Sequence, residues 1–387
     1  MIDCINAFTD EIDDVESAVR EIKKQLSAKG RFKDFLKEHS VAIVAAHKEF
    51  AESGVLREVC RALPMNTVGM IAASSSVNGR MSSMPLSALV LTSSSVRMDA
   101  VLCDLAPLIE EGDSSVIEKS YKAASADLPK DAAKLVIGFT PTIGGIFGDF
   151  YAAEFAECGV PFFGSNAGAS SDYNGASVLF NGELYSSALP YVIMSGDFSP
   201  SFFVSELPVR RGQRAKGRVT SVSGNLLKTV DGAPAKNFLD ELGYDYTNSE
   251  GDSFPFRIEH PDGSVVYRAS WGLNENEHMV LAGEVTAGSL ISLDMPLSKD
   301  VIMDAAESVV KEAAAAEGFS CLLMFACVSH LNALALSKDE LELTDSLLKD
   351  KIPYLLSYSD GEYCPVPDKN GELVNQLHNY SYIVCAM

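Results

Sequence analysis

The chain has 387 residues, 47% hydrophobic and 22% charged, a globular composition with room for two domains. Lysine and arginine total 31 against 53 aspartate and glutamate, a net charge of −22. A surface this acidic repels a phosphate backbone and argues against nucleic acid as a partner. The short basic cluster "PVRRGQRAKGR", Pro208 to Arg218, lacks interleaved aromatics and reads as a solvated face between domains. No apolar run approaches the roughly 20 residues of a membrane span, so no membrane association is expected. The N-terminus "MIDCINAFTDEIDDVE" carries acids where a secretory leader is basic and then apolar. Eight scattered cysteines without a CxxC pair suit reduced thiols, and a cytoplasmic location is expected.

In chain order, Thr9 to about Leu26 predicts an amphipathic helix, with Ile12, Val15, Val19, Ile22 and Leu26 at helical spacing and Gly30 as its stop. The runs "VAIVAA" (Val41 to Ala46) and "TVGMIAA" (Thr67 to Ala73) predict strands covered on both faces. "SALVLTSSSVRMDAVLCDL" supplies one or two more, and Ser115 with Glu118 predicts a capping box. A strand follows from Lys134, then a loop with Gly144, Gly145 and Gly148, then a helix with Tyr151, Phe155 and Cys158 on one face. Short strands punctuated by Gly, Asn and Ser run on to a connection around Pro208. "RVTSVSGNLLKTVDG" predicts a hairpin, and a helix begins after Pro234 and ends near Gly243. A long helix over Ser298 to Ala316 carries Val301, Ala305, Val309 and Ala313 as its stripe. Ser337 and Glu340 predict another capping box, and "YSYIVCAM" a final strand. The elements do not alternate strictly. They predict an α+β fold of two domains, built on mixed and antiparallel β-sheets packed face to face with helices on the outer faces.

The glycine loop invites a nucleotide reading and fails it. Gly148 is followed by Asp149 and Phe150 where a phosphate loop needs Lys and Ser or Thr, and Ile143 breaks a dinucleotide fingerprint. Asp149 at the mouth of the helix repels phosphate and is placed to cap the helix. None of the six histidines lies in an HxxxH or HExxH pattern, no metal site is expected, and no catalytic motif is found.

Several segments together resemble the FIST family. "VPFFGSNAGASSDYNGASVLFNGELYSSALPYVIMSG" is similar to the end of its N-terminal domain, and "VSGNLLKTVDGAPAKNFLDELG" to the junction into its C-terminal domain. "LLMFACVSH", "PYLLSYSDGEYCPV" and "LHNYSYIVCAM" resemble its later motifs and keep their order. The resemblance implies an N-terminal helix over 1–30, a FIST-N-like domain over 31–207 and a FIST-C-like domain over 208–387. It implies a bacterial-type, stand-alone sensory protein of signal transduction. Such a protein binds a small molecule, an amino acid or similar metabolite, and signals through a separate kinase, chemoreceptor or cyclic-dinucleotide enzyme.

Carried over residue by residue, the candidate ligand-binding groups are Gly164, Ser165, Asn166, Gly168, Cys327, His330, Glu362, His378 and Asn379. Glu362 is placed to receive an ammonium group. The chain departs from the family where Ser329 and His330 replace an expected arginine, which removes a fixed cation. One branch of the family binds haem and senses nitric oxide, so the alternative is a haem sensor ligated by His330 or His378. A further alternative is a metabolite enzyme with Cys327 or Cys364 as nucleophile; the expectation is no enzyme and no cofactor.

Overall fold

The unbroken apolar runs are strands whose alternate side chains enter different cores. In Leu322–Cys327, Leu323 and Phe325 face one core while Leu322, Met324 and Ala326 face another. In Ser40–Ala46, Val41, Ile43 and Ala45 share the first of these cores, while Ala42, Val44 and Ala46 meet helices. A period of two explains both assignments, and burial on both faces explains why no polar residue interrupts the runs. The computed structural model describes residues 2–28, 36–72, 75–77, 80–82, 84–129, 132–141, 143, 148–167, 178–210, 216–244, 255–327 and 337–387.

Three six-stranded sheets share that common core, and each turns its other face to helices. The first has the order Ile2–Thr9, Leu86–Ser93, Ser40–Ala46, Asn66–Ile71, Val178–Phe180, Glu183–Tyr185. From its outer strand inward the second reads Val96–Asp104, Ala188–Gly196, Ala133–Thr140, Phe162–Asn166, Glu362–Pro367, Leu373–His378. The third reads Ser201–Glu206, Ser381–Ala386, Leu322–Cys327, Tyr354–Ser359, Ser75–Val77, Arg80–Ser82. The plan is the same three times. An outer strand pairs antiparallel with a return strand, then comes a parallel pair joined through a helix, then an antiparallel hairpin.

Each hairpin leaves the unit that carries it in sequence. Ser75–Ser82 follows the first parallel pair but completes the third sheet; Val178–Tyr185 follows the second and completes the first; Glu362–His378 follows the third and completes the second. The parallel pairs repeat a further detail. Gly69 opposes Val44, and a Cβ on it would lie 1.8 Å from the Val44 carbonyl oxygen; Gly164 opposes Gly138, with the corresponding distance 1.9 Å. The third pair has Ser357 opposite Phe325.

Between the outer strand of the third unit and its helix Lys299–Ala315 lies a separate small unit. Its neck is a two-stranded stem, Val209–Arg210 against Met295–Pro296. Inside are antiparallel strands around the helix Ala235–Leu242, with their own core of Val219, Leu227, Phe238, Leu239 and Ile291. The predicted hairpin appears as Gly217–Ser223 and Leu226–Val230, and Gly243 ends the helix with φ 65°.

The α+β class, the mixed and antiparallel sheets and the helices on outer faces stand as expected. Several local expectations change. The first helix is Val15–Ala28, preceded by the strand Ile2–Thr9, which pairs along its whole length with Leu86–Ser93. Long-range pairing decides that strand, and a local pattern does not show it. The stripe of Lys299–Ala315 is Ile302, Ala306, Val309, Val310 and Ala313; Val301 is exposed, because the sheet meets the helix one position further round. Ser115 does not cap its helix by side chain; its hydroxyl donates to Asp113 instead. The Ser337 and Glu340 side chains, the basic residues 211–215, Gly144 and Gly145 lie outside the described residues.

Candidate functional site

Two sharp corners carry the chain between the second and third sheets at the same place. Asp360 and Gly361 join Tyr354–Ser359 to Glu362–Pro367, and Asn379 and Tyr380 join Leu373–His378 to Ser381–Ala386. Tyr380 takes φ 59°, the left-handed turn that reverses the chain there. Strand register then aligns the expected residues. Glu362 pairs with Ser165 on one side and His378 on the other, and Tyr363 pairs with Gly164. Asn166 closes its strand by donating its backbone N–H to Gly361 O at 2.8 Å. Gly164, Ser165, Asn166, Glu362, His378 and Asn379 therefore meet in one seam.

Glu362 has no exposed surface. Ser359 Oγ donates to its Oε1 at 2.9 Å and Ser381 Oγ to its Oε2 at 2.8 Å. Burial pushes its carboxyl well above the usual range. Two serines satisfy it already. An ammonium group at Glu362, as expected above, would compete with these two serine hydroxyls. The neighbouring Asp360 is only partly buried, and burial lifts its carboxyl up to about 7. It is the carboxyl of this seam that changes charge near neutrality.

Asn166 sits among hydroxyls. Tyr363 OH donates to its Oδ1 at 2.7 Å, and Thr140 Oγ1 bonds the same oxygen. With its oxygen engaged, its amide nitrogen turns toward Gly361, where Asn379 Nδ2 also approaches; a Cβ on Gly361 would lie 3.3 Å from each. Asn379 Nδ2 donates to His378 O at 3.1 Å, whereas its buried Oδ1 has no hydrogen-bond partner among the described residues. An unpaired buried acceptor costs about 1–3 kcal/mol. A ligand donor is one way to recover it.

His378 is buried, and desolvation lowers it to about 4, so the imidazole is neutral. Its Nε2 faces Cys364 O at 3.2 Å and its Nδ1 lies 3.9 Å from Glu206 Oε1. A haem iron on either nitrogen would displace strand backbone or Glu206, so this residue does not fit the axial role raised above. His330 and Gly168 lie outside the described residues. Cys327 ends its strand in the third sheet, buried. Cys364 is fully buried, its thiol donates to Pro365 O, and burial pushes it well above its ordinary value, the opposite of an activated thiolate. Among the described residues, no group of three or more His, Cys, Asp or Glu side chains is placed to hold a metal.

Beside the seam, the start of helix Gly148–Glu157 is fixed by packing. A Cβ on Gly148 would meet Leu377 at 2.7 Å and Tyr363 OH at 2.8 Å. Asp149 does not serve the cap role expected of it. Its Oδ1 accepts from Arg268 Nη2 at 2.6 Å and its Oδ2 from Glu284 N at 2.6 Å, tying the inserted unit to the second sheet's helix. Arg268 also donates to Leu377 O at 3.1 Å, one residue from His378. Asp360, Thr140, Ser359, Tyr363 and Arg268 escaped the sequence reading. Asp360, Ser359 and Tyr363 had a signal, as members of the "SDGEY" corner.

Two solved structures align with this chain at low similarity. The crystal structure of a chorismatase aligns over 100% of this chain and 98% of its own, with a TM-score of 0.37 and 7% identity. A cyanuric acid hydrolase from A. caulinodans aligns over 100% and 99%, with a TM-score of 0.36 and 9% identity. Likenesses this slight say nothing of what the chain does. No curated protein sequence matches it. Among the described residues, no helix is long and apolar enough to cross a membrane. The family models are decisive: the FIST N domain matches residues 40–233 and the FIST C domain residues 227–365. The models overlap at the hairpin that opens the inserted unit. The chain thus belongs to the FIST family, whose domains are sensory signal-transduction domains that bind small ligands.

Proposed function

We propose that this chain is a stand-alone cytoplasmic sensor whose seam at Asp360 and Asn379 takes a small metabolite with a protonated amine, such as an amino acid, and which acts on a separate protein partner. The observation that carries the reading is the pairing, in one corner, of an unpartnered buried acceptor, Asn379 Oδ1, with a carboxyl poised near neutrality, Asp360. Both accept hydrogen bonds, so the group they select is a donor. The carboxamide nitrogens of Asn166 and Asn379, gathered at Gly361, are donors for the metabolite's acceptor end. Binding without turnover suits a site whose thiols are buried and whose histidine is held neutral by desolvation.

Ligand bound in the seam touches corners that belong to two sheets. Its binding energy therefore biases how those sheets sit against each other, which is the form a transmitted signal takes. A thermal-shift screen against amino acids and related amines tests the reading. A ligand at 100 times its dissociation constant adds about 2.7 kcal/mol of stability. Responses retained in Asn379→Ala and Asp360→Asn, or a flat profile across the panel, would sink it.

A further inference from the structure

The three outer strands hold equivalent places in the three sheets but are covered unequally. Ile2–Thr9 is buried along most of its length and Val96–Asp104 in part, whereas no residue of Ser201–Glu206 is buried. Directly after Ser201–Glu206 the chain departs through the stem at Val209–Arg210.

The uncovered edge has backbone to offer. Leu207 N donates to Tyr380 O at 2.9 Å, and antiparallel pairs alternate, so Phe203 and Ser205 turn their N–H and C=O groups toward Ser381–Ala386. Phe202 and Val204 turn theirs the other way, and no main-chain partner meets them among the described residues. Along this edge runs a groove of about 400 Å³ between Phe202–Ser205 and the face of Lys299–Ala315 that carries Ala305, Val309 and Glu312. Its lining mixes Phe203, Val204 and Val309 with Ser205, Ser308 and Glu312, and the charge that Glu312 brings is negative. On the same helix Lys311 is engaged by Glu307, and Lys299 by Asp339, so Glu312 sets the sign.

We propose that this edge is a docking site for an extended segment of a partner protein in which apolar residues alternate with lysine or arginine. The segment adds antiparallel to Ser201–Glu206 as a seventh strand. Its main chain bonds Phe202 and Val204, its basic side chains turn to the helix face and reach Glu312, and its apolar ones turn to the opposite face of the sheet beside Phe202 and Val204. A second copy of this chain is the poorer occupant, because edge-to-edge pairing about a twofold brings two such acidic helices together. The interface supplies a contact for the partner in the sensory reading above but does not depend on ligand at the seam.

Fluorescence anisotropy on the full chain tests it, with a labelled peptide of sequence Lys-Val-Lys-Val-Thr-Val-Lys-Val as the probe. Two controls accompany it: a peptide with glutamate in place of lysine, and a basic peptide N-methylated at alternate amides, which cannot extend a ladder. The basic probe binds, the glutamate probe binds about tenfold or more weakly, and N-methylation on the ladder-facing amides abolishes binding. Glu312→Lys reverses the charge preference. Val204→Pro removes an outward N–H while sparing the bonds to Ser381–Ala386, and it weakens the basic probe without lowering the melting temperature by more than a few degrees. Should that variant fold poorly, the N-methylated probe makes the same test on the native chain. Equal binding of both charges, no binding of the basic probe, or binding indifferent to N-methylation overturns the proposal. A concentration-dependent dimer that Val204→Pro dissolves also overturns it, since the edge then belongs to a second copy. Because the thermal-shift response at the seam is read separately, either site can fail without the other.

Discussion

Replacing Asp149 by alanine strands a buried cation. The Arg268 side chain is 2% exposed and its ion pair with Asp149 is the link between the inserted unit and helix Gly148–Glu157. Deleting one partner of a buried pair costs about 3–5 kcal/mol, because the other charge stays desolvated without compensation. Arg268 keeps its contacts to Leu377 O at 3.1 Å and Tyr267 O at 3.3 Å, which sets the expected loss near the lower end, about 3 kcal/mol. Trp271, the single tryptophan, lies on the strand Ser270–Leu273 of the inserted unit and reports its unfolding by fluorescence. With a urea slope of about 3 kcal/mol per molar, the midpoint falls by about 1 M. The double variant Asp149→Ala with Arg268→Met removes the stranded charge and recovers most of the loss. A midpoint shift below about 0.3 M, or a double variant no more stable than the single, refutes the reasoning.

Asp360→Asn separates stability from binding. The folded carboxyl titrates up to about 7, above its unfolded value, so its stabilising contribution is complete below about pH 4 and is lost as pH rises through 7. The variant therefore gains on the wild type between pH 4 and 7, read by urea midpoints at stepped pH, while its response to amines weakens. His378 works in the opposite direction. Its folded value is depressed to about 4, so its stabilising contribution is complete above about pH 6.5 and is lost as pH falls; His378→Gln flattens that acid limb. Gly164→Ala drives a Cβ to 1.9 Å from the Gly138 carbonyl and costs about 3 kcal/mol or more, whereas Gly112→Ala, with nothing within 4 Å but φ 71°, costs about 1 kcal/mol in the same urea assay. Among the eight cysteines seven are buried and Cys158 is half-buried, its thiol raised to about 11, so iodoacetamide at pH 7 labels one site slowly and all eight only after denaturation; fast labelling of Cys364 in the native chain contradicts the burial described.

What the sequence disclosed follows from where each signal lives. Burial on two faces leaves a mark along the strand itself, and so "VAIVAA" and "TVGMIAA" were readable as strands. Gly243 and Pro234 mark their helix because capping geometry is local. Glu362, His378 and Asn379 were found through family motifs, and the motifs mark corners, which is why their residues converge. The role of Glu362 was not legible, since only the fold brings Ser359 and Ser381 to its two oxygens. Asp360 carries no pattern of its own; its importance comes from desolvation, a property of the packed corner. Asp149 was read as a cap because its position relative to its helix is visible in sequence and Arg268, 119 residues away, is not. Hairpin exchange is invisible for the same reason.

That exchange also sets an order of events during synthesis. Phe162–Asn166 leaves the ribosome with one side of its ladder open, and the strand that covers it, Glu362–Pro367, follows nearly 200 residues later. Tyr354–Ser359, by contrast, finds Ser75–Val77 already made and waiting. For about half of translation, then, the second sheet presents a bare edge of fully buried type, with Phe162 and Phe163 beside it. Completion is a late, non-local step with a high entropic barrier. The nascent chain is therefore a natural client for holding chaperones, and its yield on expression should respond to them more than its finished stability suggests.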